Sequence, residues 1–403
     1  MPGPSTYRNS FDPVRLALID EWMQHNIDRG RFTGSSMLLA RQGDTVHFGS
    51  AGHHSVERNL AYERDTIVRI YSMTKMVTTV GFMMLVERGL VHLATPAAEF
   101  FPSFADARAL VSNASSMDQV ESVDGPTLHQ LLTHTSGLTY AFNPGLLAQH
   151  YDALEINFSH GEGGLETVCQ RVSELPLAFK PGRNWNYSVG IDLIGRVIEQ
   201  ISGRSLDRYL HEEIFEPLGM VDTGFSVPTH ALDRFADCYL RTDEDPIVCC
   251  DRAASSSYLG RVPDTLSGGG GLVSTLDDYL RFGEMIRLGG RADGRQLLSP
   301  RTLAFMRRNH LEGEIASMGP SSFAEMPMHG TGFGLGGAVV LEPARAGVPG
   351  SVGDFGWGGM ASTYFWTDPV EELCCVFFTQ LIPSSSYPNR AELKALVHAA
   401  LVD

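Results

Sequence analysis

Strand-like segments stand at both ends of this chain and helical ones in between, and that distribution constrains the architecture most. The stretch SSMLLARQGDTVHFGSAG, Ser35 to Gly52, reads as two strands around a turn at Gln42–Asp44. Far downstream, FGLGGAVVL, STYFWTDP and ELCCVFFTQL are again strand-like. Between them lie helical patches: the run from Tyr71 to Leu90, LHQLLTH, LETVCQRVSEL, SVGIDLIGRVIEQISG and SLDRYLHEEIFEPLG. An amphipathic helix is predicted at Phe11–Arg29, and further helices in STLDDYLRFGEMIRLG and in the closing RAELKALVHAALV. Strands need partners, so the two ends are expected to build one antiparallel sheet. This predicts an α/β (α+β) architecture. Residues 1–71 and 256–403 would form a sheet flanked by helices, and residues 72–255 a mostly helical unit, with a cleft between. No repeat of fixed period is visible.

Composition narrows the function. A chain of 403 residues, 43% hydrophobic and 19% charged, can bury a large core. Its net charge of −16 argues against a nucleic-acid partner, because phosphates need basic patches. No apolar run reaches the roughly eighteen residues of a membrane span. The opening MPGPSTYRNSFDPVR has no apolar core of a secretory signal. The six cysteines form no C-x-x-C and no zinc spacing, and are expected to be buried thiols. A cytoplasmic chain without metal or cofactor is the expectation. The oligomeric state is not legible. H-E-x-x-H, the Walker loop and G-x-S-x-G are absent. Gly332–Gly337 matches G-x-G-x-x-G but leads into the strand-like AVVLE, which speaks for tight packing rather than a dinucleotide.

Against this background one residue is out of place. Only three of the 31 basic residues are lysines, and Lys75 sits among apolar residues, three positions after Ser72. In YSMTKMVTTVGFMMLVERGL, Met73, Met76, Val77, Val80, Met83 and Met84 recur at helical steps, which predicts a helix with one buried stripe. Residues three apart share a face, so the Ser72 hydroxyl and the Lys75 amine can meet near its N-terminus. The plain alternative is a helix-capping Ser72 and a solvated Lys75. A cation in the first turn opposes the helix dipole, so stability does not ask for it. Lysine can give up its proton on desolvation whereas arginine cannot, and a serine nucleophile needs such a proton acceptor.

Two further segments could complete such a site. In PGRNWNYSVG, Tyr187 stands just before a helix beginning near Ser188, where its hydroxyl could point into a cleft or simply pack. In FGWGGMASTYFWTDP, Gly358 and Gly359 allow close backbone approach to a ligand, and the strand edge could offer an N–H to an oxyanion. The alternative there is a turn with a packed tryptophan.

Ser72-Met-Thr-Lys75, LLTHTSGLTY at Leu131–Tyr140, Tyr187-Ser188, SGGGGLVSTLDDYLRF at Ser267–Phe282 and FGWGGMASTYFWTDP at Phe355–Pro369 occur in this order. Together they resemble the serine β-lactamase and penicillin-binding-protein superfamily, and within it the family VIII carboxylesterases and transesterases. The resemblance implies that Ser72 is the acylated nucleophile and that Lys75 and Tyr187 share proton transfer. It implies an oxyanion hole from the backbone N–H groups of Ser72 and Met360. Trp357, Gly358 and Gly359 take the place of the Lys-Thr-Gly motif of β-lactamases and would contact substrate. His134 is expected to be structural. Two departures matter: Val189 replaces the Asn of Tyr-x-Asn, and no lysine lies near Trp357. Both weaken recognition of a β-lactam and suit a neutral ester. The expected activity is hydrolysis of a small-molecule short-chain ester, with possible acyl transfer to alcohols or amines. A β-lactamase or D-amino-acid peptidase, or a non-catalytic binding member, are the alternatives.

Overall fold

The structure, a computed structural model, describes residues 10–158, 163–243, 247–292 and 294–402. The first nine residues of MPGPSTYRNSFDPVR, the stretch on which the expectation about a secretory signal rests, lie outside the described residues. Both ends of the chain do enter one eight-stranded antiparallel sheet. Its strands are β1 (Gly34–Arg41), β2 (Asp44–Ser55), β3 (Leu60–Ala61), β4 (Thr331–Phe333), β5 (Ala338–Val340), β6 (Phe355–Gly358), β7 (Tyr364–Asp368) and β8 (Leu373–Phe378). Their order across the sheet is β4-β5-β6-β7-β8-β1-β2-β3. β1, from the N-terminal part, pairs with β8 from Ser36 opposite Phe378 to Arg41 opposite Leu373.

Alternation along β1 and β8 explains why they read as unbroken apolar runs. Met37, Leu39, Cys375 and Phe377 face one layer, which holds Ile19 and Met23 of helix α1 (Pro13–Asp28) and Leu393 and Val397 of helix α5 (Asn389–Ala399). Leu38, Cys374, Val376 and Phe378 face the other, against Tyr279 and Phe282 of helix α4 (Leu276–Arg287). Both faces are covered, so neither needs polar residues.

Three elements differ from the sequence reading. Helix α2 (Thr74–Glu87) is not buried along one stripe: every residue from Thr74 to Leu85 is buried. It is a central helix, packed on helix α3 (Gly190–Ser202) among others. Two of its three buried threonines find partners: Thr78 Oγ1 donates to Gly268 O at 2.7 Å and Thr74 Oγ1 accepts from Leu272 N at 3.1 Å, while Thr79 Oγ1 packs against Gly336. Burying each Met or Val there contributes about 1.5–3 kcal/mol, which outweighs the roughly 0.3–1 kcal/mol by which Lys75 opposes the dipole. FGLGGAVVL holds only the last residue of β4, then a turn, then β5, because Gly336 turns the chain at φ +86°. A side chain at Gly336 would meet Thr79 Oγ1 of α2 at 2.6 Å, so this glycine also sets the sheet on the helix. Phe355–Gly358 forms β6 although two of its four residues are glycine, since it pairs on both edges with β5 and β7. Of the cysteines, four are buried free thiols, whereas Cys249 is half-buried and Cys250 exposed on a short peripheral strand. No helix among the described residues is long and apolar enough to cross a membrane.

Candidate active site

Ser72 lies in a 3-10 turn, Tyr71–Met73, that feeds directly into α2. Tyr71 takes φ +44°, a conformation disfavoured for a side chain of its size and one that the surrounding packing must hold. Ser72 is therefore not the helix cap: that position is Met73, and no side chain caps α2. The Ser72 Oγ instead accepts from Lys75 Nζ at 3.3 Å. It is the second residue of its turn, where the turn supplies no acceptor for its backbone N–H.

Lys75 is completely buried rather than solvated. Its Nζ also donates to Gly269 O at 2.6 Å and lies over the ring faces of Tyr187 at 4.7 Å and Tyr140 at 5.1 Å. Gly269 is held in turn by Asp192 of α3: Oδ1 accepts from Gly269 N at 2.9 Å and from Ser267 Oγ at 2.6 Å, and Oδ2 from Tyr140 Oη at 3.3 Å. Burial pushes the Asp192 carboxyl above its ordinary range, while the Lys75 charge and these donors pull it back. Asp192, Tyr140 and the Gly269 carbonyl had no individual role in the sequence reading. The available signal was a carboxylate, Asp192, flanked by Ile191 and by Leu193 and Ile194 on a helix.

Tyr187 is 4% exposed, and the Trp357 indole N–H donates to its hydroxyl at 3.1 Å. The segment around it is fixed from two sides. Asn143 Nδ2 donates to Tyr187 O at 2.6 Å, and Ser188 N donates to His134 Nδ1 at 3.2 Å. Burial, then the nearby Lys75, lower the His134 pKa well below its ordinary value. A neutral His134 accepting at Nδ1 acts as a brace for the Tyr187 segment.

The turn between β6 and β7 brings Met360 to the same place. Gly359 N donates to Thr363 O at 2.9 Å, closing the turn. Any side chain at Gly359 would collide with Ile70 O and Thr363 Oγ1, so this glycine lets the turn lie against the segment leading into Ser72. Among the described residues the Met360 N–H has no hydrogen-bond partner. Gly358 makes room of a different kind: a side chain there would displace the guanidinium of Arg390. Both glycines admit protein groups this closely, and both also border the cavity where the sequence pattern placed a ligand. Trp357 has one face stacked on Phe323, with centroids 5.7 Å apart and planes at 18°, so its indole is less open to a substrate than the sequence implied.

Ser72, Tyr187, Trp357, Gly358, Gly359 and Met360 all line one cavity of about 1270 Å³. Lys75 lies behind that wall. Two acidic groups elsewhere have metal-like spacing, Glu57 with Asp237 and Cys249, and Asp354 with Asp368 and His398. Neither borders the cavity, and Lys394 Nζ already sits 2.6 Å from Asp354.

The β-lactamase family model matches residues 19–399. Protein Rv1367c of Mycobacterium tuberculosis is 33% identical over 89% of this chain and 88% of its own. Esterase EstB of Burkholderia gladioli is 30% identical over 92% of each chain. Among solved structures, EstCE1, described as a hydrolase with promiscuous acyltransferase activity, superposes with a TM-score of 0.78 at 26% identity, covering 97% of this chain and 99% of its own. With a family match over nearly its whole length, a β-lactamase-like sheet-and-helix fold and relatives aligned end to end, the chain belongs to the β-lactamase family.

Proposed function

We propose that this protein is a serine carboxylesterase that forms an acyl-enzyme on Ser72 and passes the acyl group to water, or to an alcohol or amine. The observation that carries the reading is the buried Lys75 amine, 3.3 Å from the Ser72 hydroxyl and without a carboxylate in ion-pair contact among the described residues. A lysine so placed, in its free-amine form, can take the Ser72 proton as Oγ attacks the ester carbonyl. The backbone N–H groups of Ser72 and Met360 would hold the resulting oxyanion. The tetrahedral centre collapses, the alkoxide leaves, and it takes a proton from the Lys75–Tyr187 pair. A second nucleophile then gives up its proton to the same pair and releases the acyl group. The Trp357 N–H fixes the Tyr187 hydroxyl for this exchange. The esterase EstB and the acyl-transferring EstCE1 support the reaction class.

Two further parts of the reading follow. Residues 1–71 with 256–403 form the sheet-bearing unit and 72–255 the helical one, with Ser72 at their junction. A cytoplasmic location accords with six cysteines that are all free thiols. The test of the activity is a panel of p-nitrophenyl esters against nitrocefin. We expect kcat/KM on p-nitrophenyl acetate or butyrate to exceed that on nitrocefin by at least about a hundredfold. Comparable efficiencies on both would move the assignment to a β-lactamase.

A further inference from the structure

The cavity borders two arginines among its described lining residues, and only one of them is buried. Arg171 is exposed and bonded to Leu154 O. Arg390, in the first turn of α5, is 6% exposed and lies flat on Gly358, whose missing side chain makes its space. Its Nη2 donates to Gly359 O at 3.3 Å, one residue before Met360. Its Nε lies 3.2 Å from Glu325 Oε1, and the Glu325 side chain is itself 5% exposed. Glu325 sits in the turn joining Ser322–Phe323 to Met326–Pro327, beside Ala324 at φ +51°. Phe323 and Ala324 of that turn line the cavity too.

The pairing is Coulombic rather than well bonded. Among the described residues, neither Glu325 carboxylate oxygen nor Arg390 Nε completes a hydrogen bond of good geometry, although the backbone N–H groups of Glu325 and Arg390 also face the carboxylate and favour its charged form. Burial pushes the Glu325 carboxyl above its ordinary range although Arg390 opposes this. The remaining charges packed nearby, Lys394 and Asp354, satisfy each other at 2.6 Å, and Tyr364 lies under the guanidinium at 5.4 Å. Glu325 is thus the group that neutralises a cation standing at the cavity wall next to the Met360 turn.

We propose that Glu325 sets the charge selectivity of this cavity by occupying Arg390, which otherwise would bind the carboxylate of an anionic ester. In the native protein an entering carboxylate meets a pair that is already neutral and must shed its water without a new partner. A neutral ester meets no such barrier. Removing the Glu325 charge exposes a buried guanidinium suited to a carboxylate. The proposal rests on the esterase reading and names the substrate charge that the same site accepts.

The test compares native protein, Glu325→Gln and Glu325→Gln/Arg390→Gln on p-nitrophenyl butyrate and on the singly anionic p-nitrophenyl hemisuccinate. Hydrolysis of the butyrate by native protein tests the esterase reading alone. The ratio of kcat/KM values, anionic over neutral, tests the charge filter. It should rise at least about tenfold in Glu325→Gln and return to within about threefold of the native ratio in the double variant. A binding arm reads the site without turnover: monomethyl succinate should raise the Tm of Glu325→Gln and leave that of the double variant unmoved. Should Glu325→Gln not fold, Glu325→Asp withdraws the charge by one methylene and must move the ratio in the same direction by a smaller factor. An unchanged ratio, or equal behaviour of single and double variants, overturns the proposal.

Discussion

Two of the three lysines in this chain, Lys75 and Lys394, are buried, and their surroundings differ in kind. Lys394 sits in α5 with its Nζ 2.6 Å from Asp354, in a group that includes Asp368 and His398. Burial alone would lower its pKa, but Tyr364 and Asp354 carry it above the ordinary value, so it remains a fixed cation. Lys75 has instead a carbonyl, two ring faces and the hydroxyl of Ser72. Its nearest carboxylate influence, Asp192, spends its hydrogen-bonding capacity on Ser267, Gly269 and Tyr140. A lysine tied to a carboxylate holds structure together. One with no carboxylate in direct contact and facing a hydroxyl can exchange a proton. Burial by itself distinguishes nothing.

The comparison breaks most sharply at Lys75. Lys75→Arg keeps a cation but cannot release its proton. Its kcat should fall at least about a thousandfold while circular dichroism and Tm stay near native, and Tyr187→Phe should behave alike. If either retains substantial turnover, the proton path does not run through that residue.

Lys394→Met should do the reverse. It strands Asp354 in the interior, a loss on the order of 3–5 kcal/mol for a broken buried pair, partly relieved because burial already raises the Asp354 pKa to about 6 and it can protonate. The variant should unfold several degrees lower yet keep kcat within a few-fold of native for the folded fraction. A kcat loss as deep as that of Lys75→Arg would erase the distinction between the two lysines.

The smallest effect sharpens the structural side through pH. His398 Nδ1 faces Lys394 O at 2.8 Å and Nε2 faces Asp368 Oδ2 at 3.3 Å. Both are acceptors, so both ring nitrogens must carry protons. Burial opposes that charge, but the Asp368 and Lys394 hydrogen bonds win and raise the His398 pKa above 6.5. A raised folded pKa means stability that is fully present below pH 6.5 and lost as pH climbs through the folded value. The Tm advantage of native protein over His398→Gln should therefore be greatest near pH 6 and shrink towards pH 8.5. A constant or growing advantage would contradict a charged His398.

Much of this site was legible because its chemistry is encoded locally. Ser72 and Lys75 are three residues apart on a helical pattern, and Tyr187, Trp357 and Met360 lie in short quotable segments. What surrounds them was not legible, because it is made by pairs far apart in sequence. Lys75 reaches Gly269 across 194 residues and Asp192 reaches it across 77. The Arg390–Glu325 pair needs the start of α5 to lie against Gly358 at the end of β6, a strand whose glycines hide it from propensity. The all-round burial of α2 was not legible from its apolar stripe, because Thr74 and Thr78 are buried by bonding to the glycine-rich segment far along the chain. The glycines at 358 and 359 signalled a close approach, and Arg390 and the Ile70 backbone are groups that pack there in addition to the cavity they border.

The central claim is that a buried lysine with no carboxylate in ion-pair contact among the described residues makes Ser72 a nucleophile. Intact-mass spectrometry of native protein after a fluorophosphonate should show one adduct, mapped to the peptide bearing Ser72. The same treatment of Ser72→Ala and of Lys75→Arg should show none on the same timescale. A label on another residue, or labelling of Lys75→Arg at the native rate, would contradict the account.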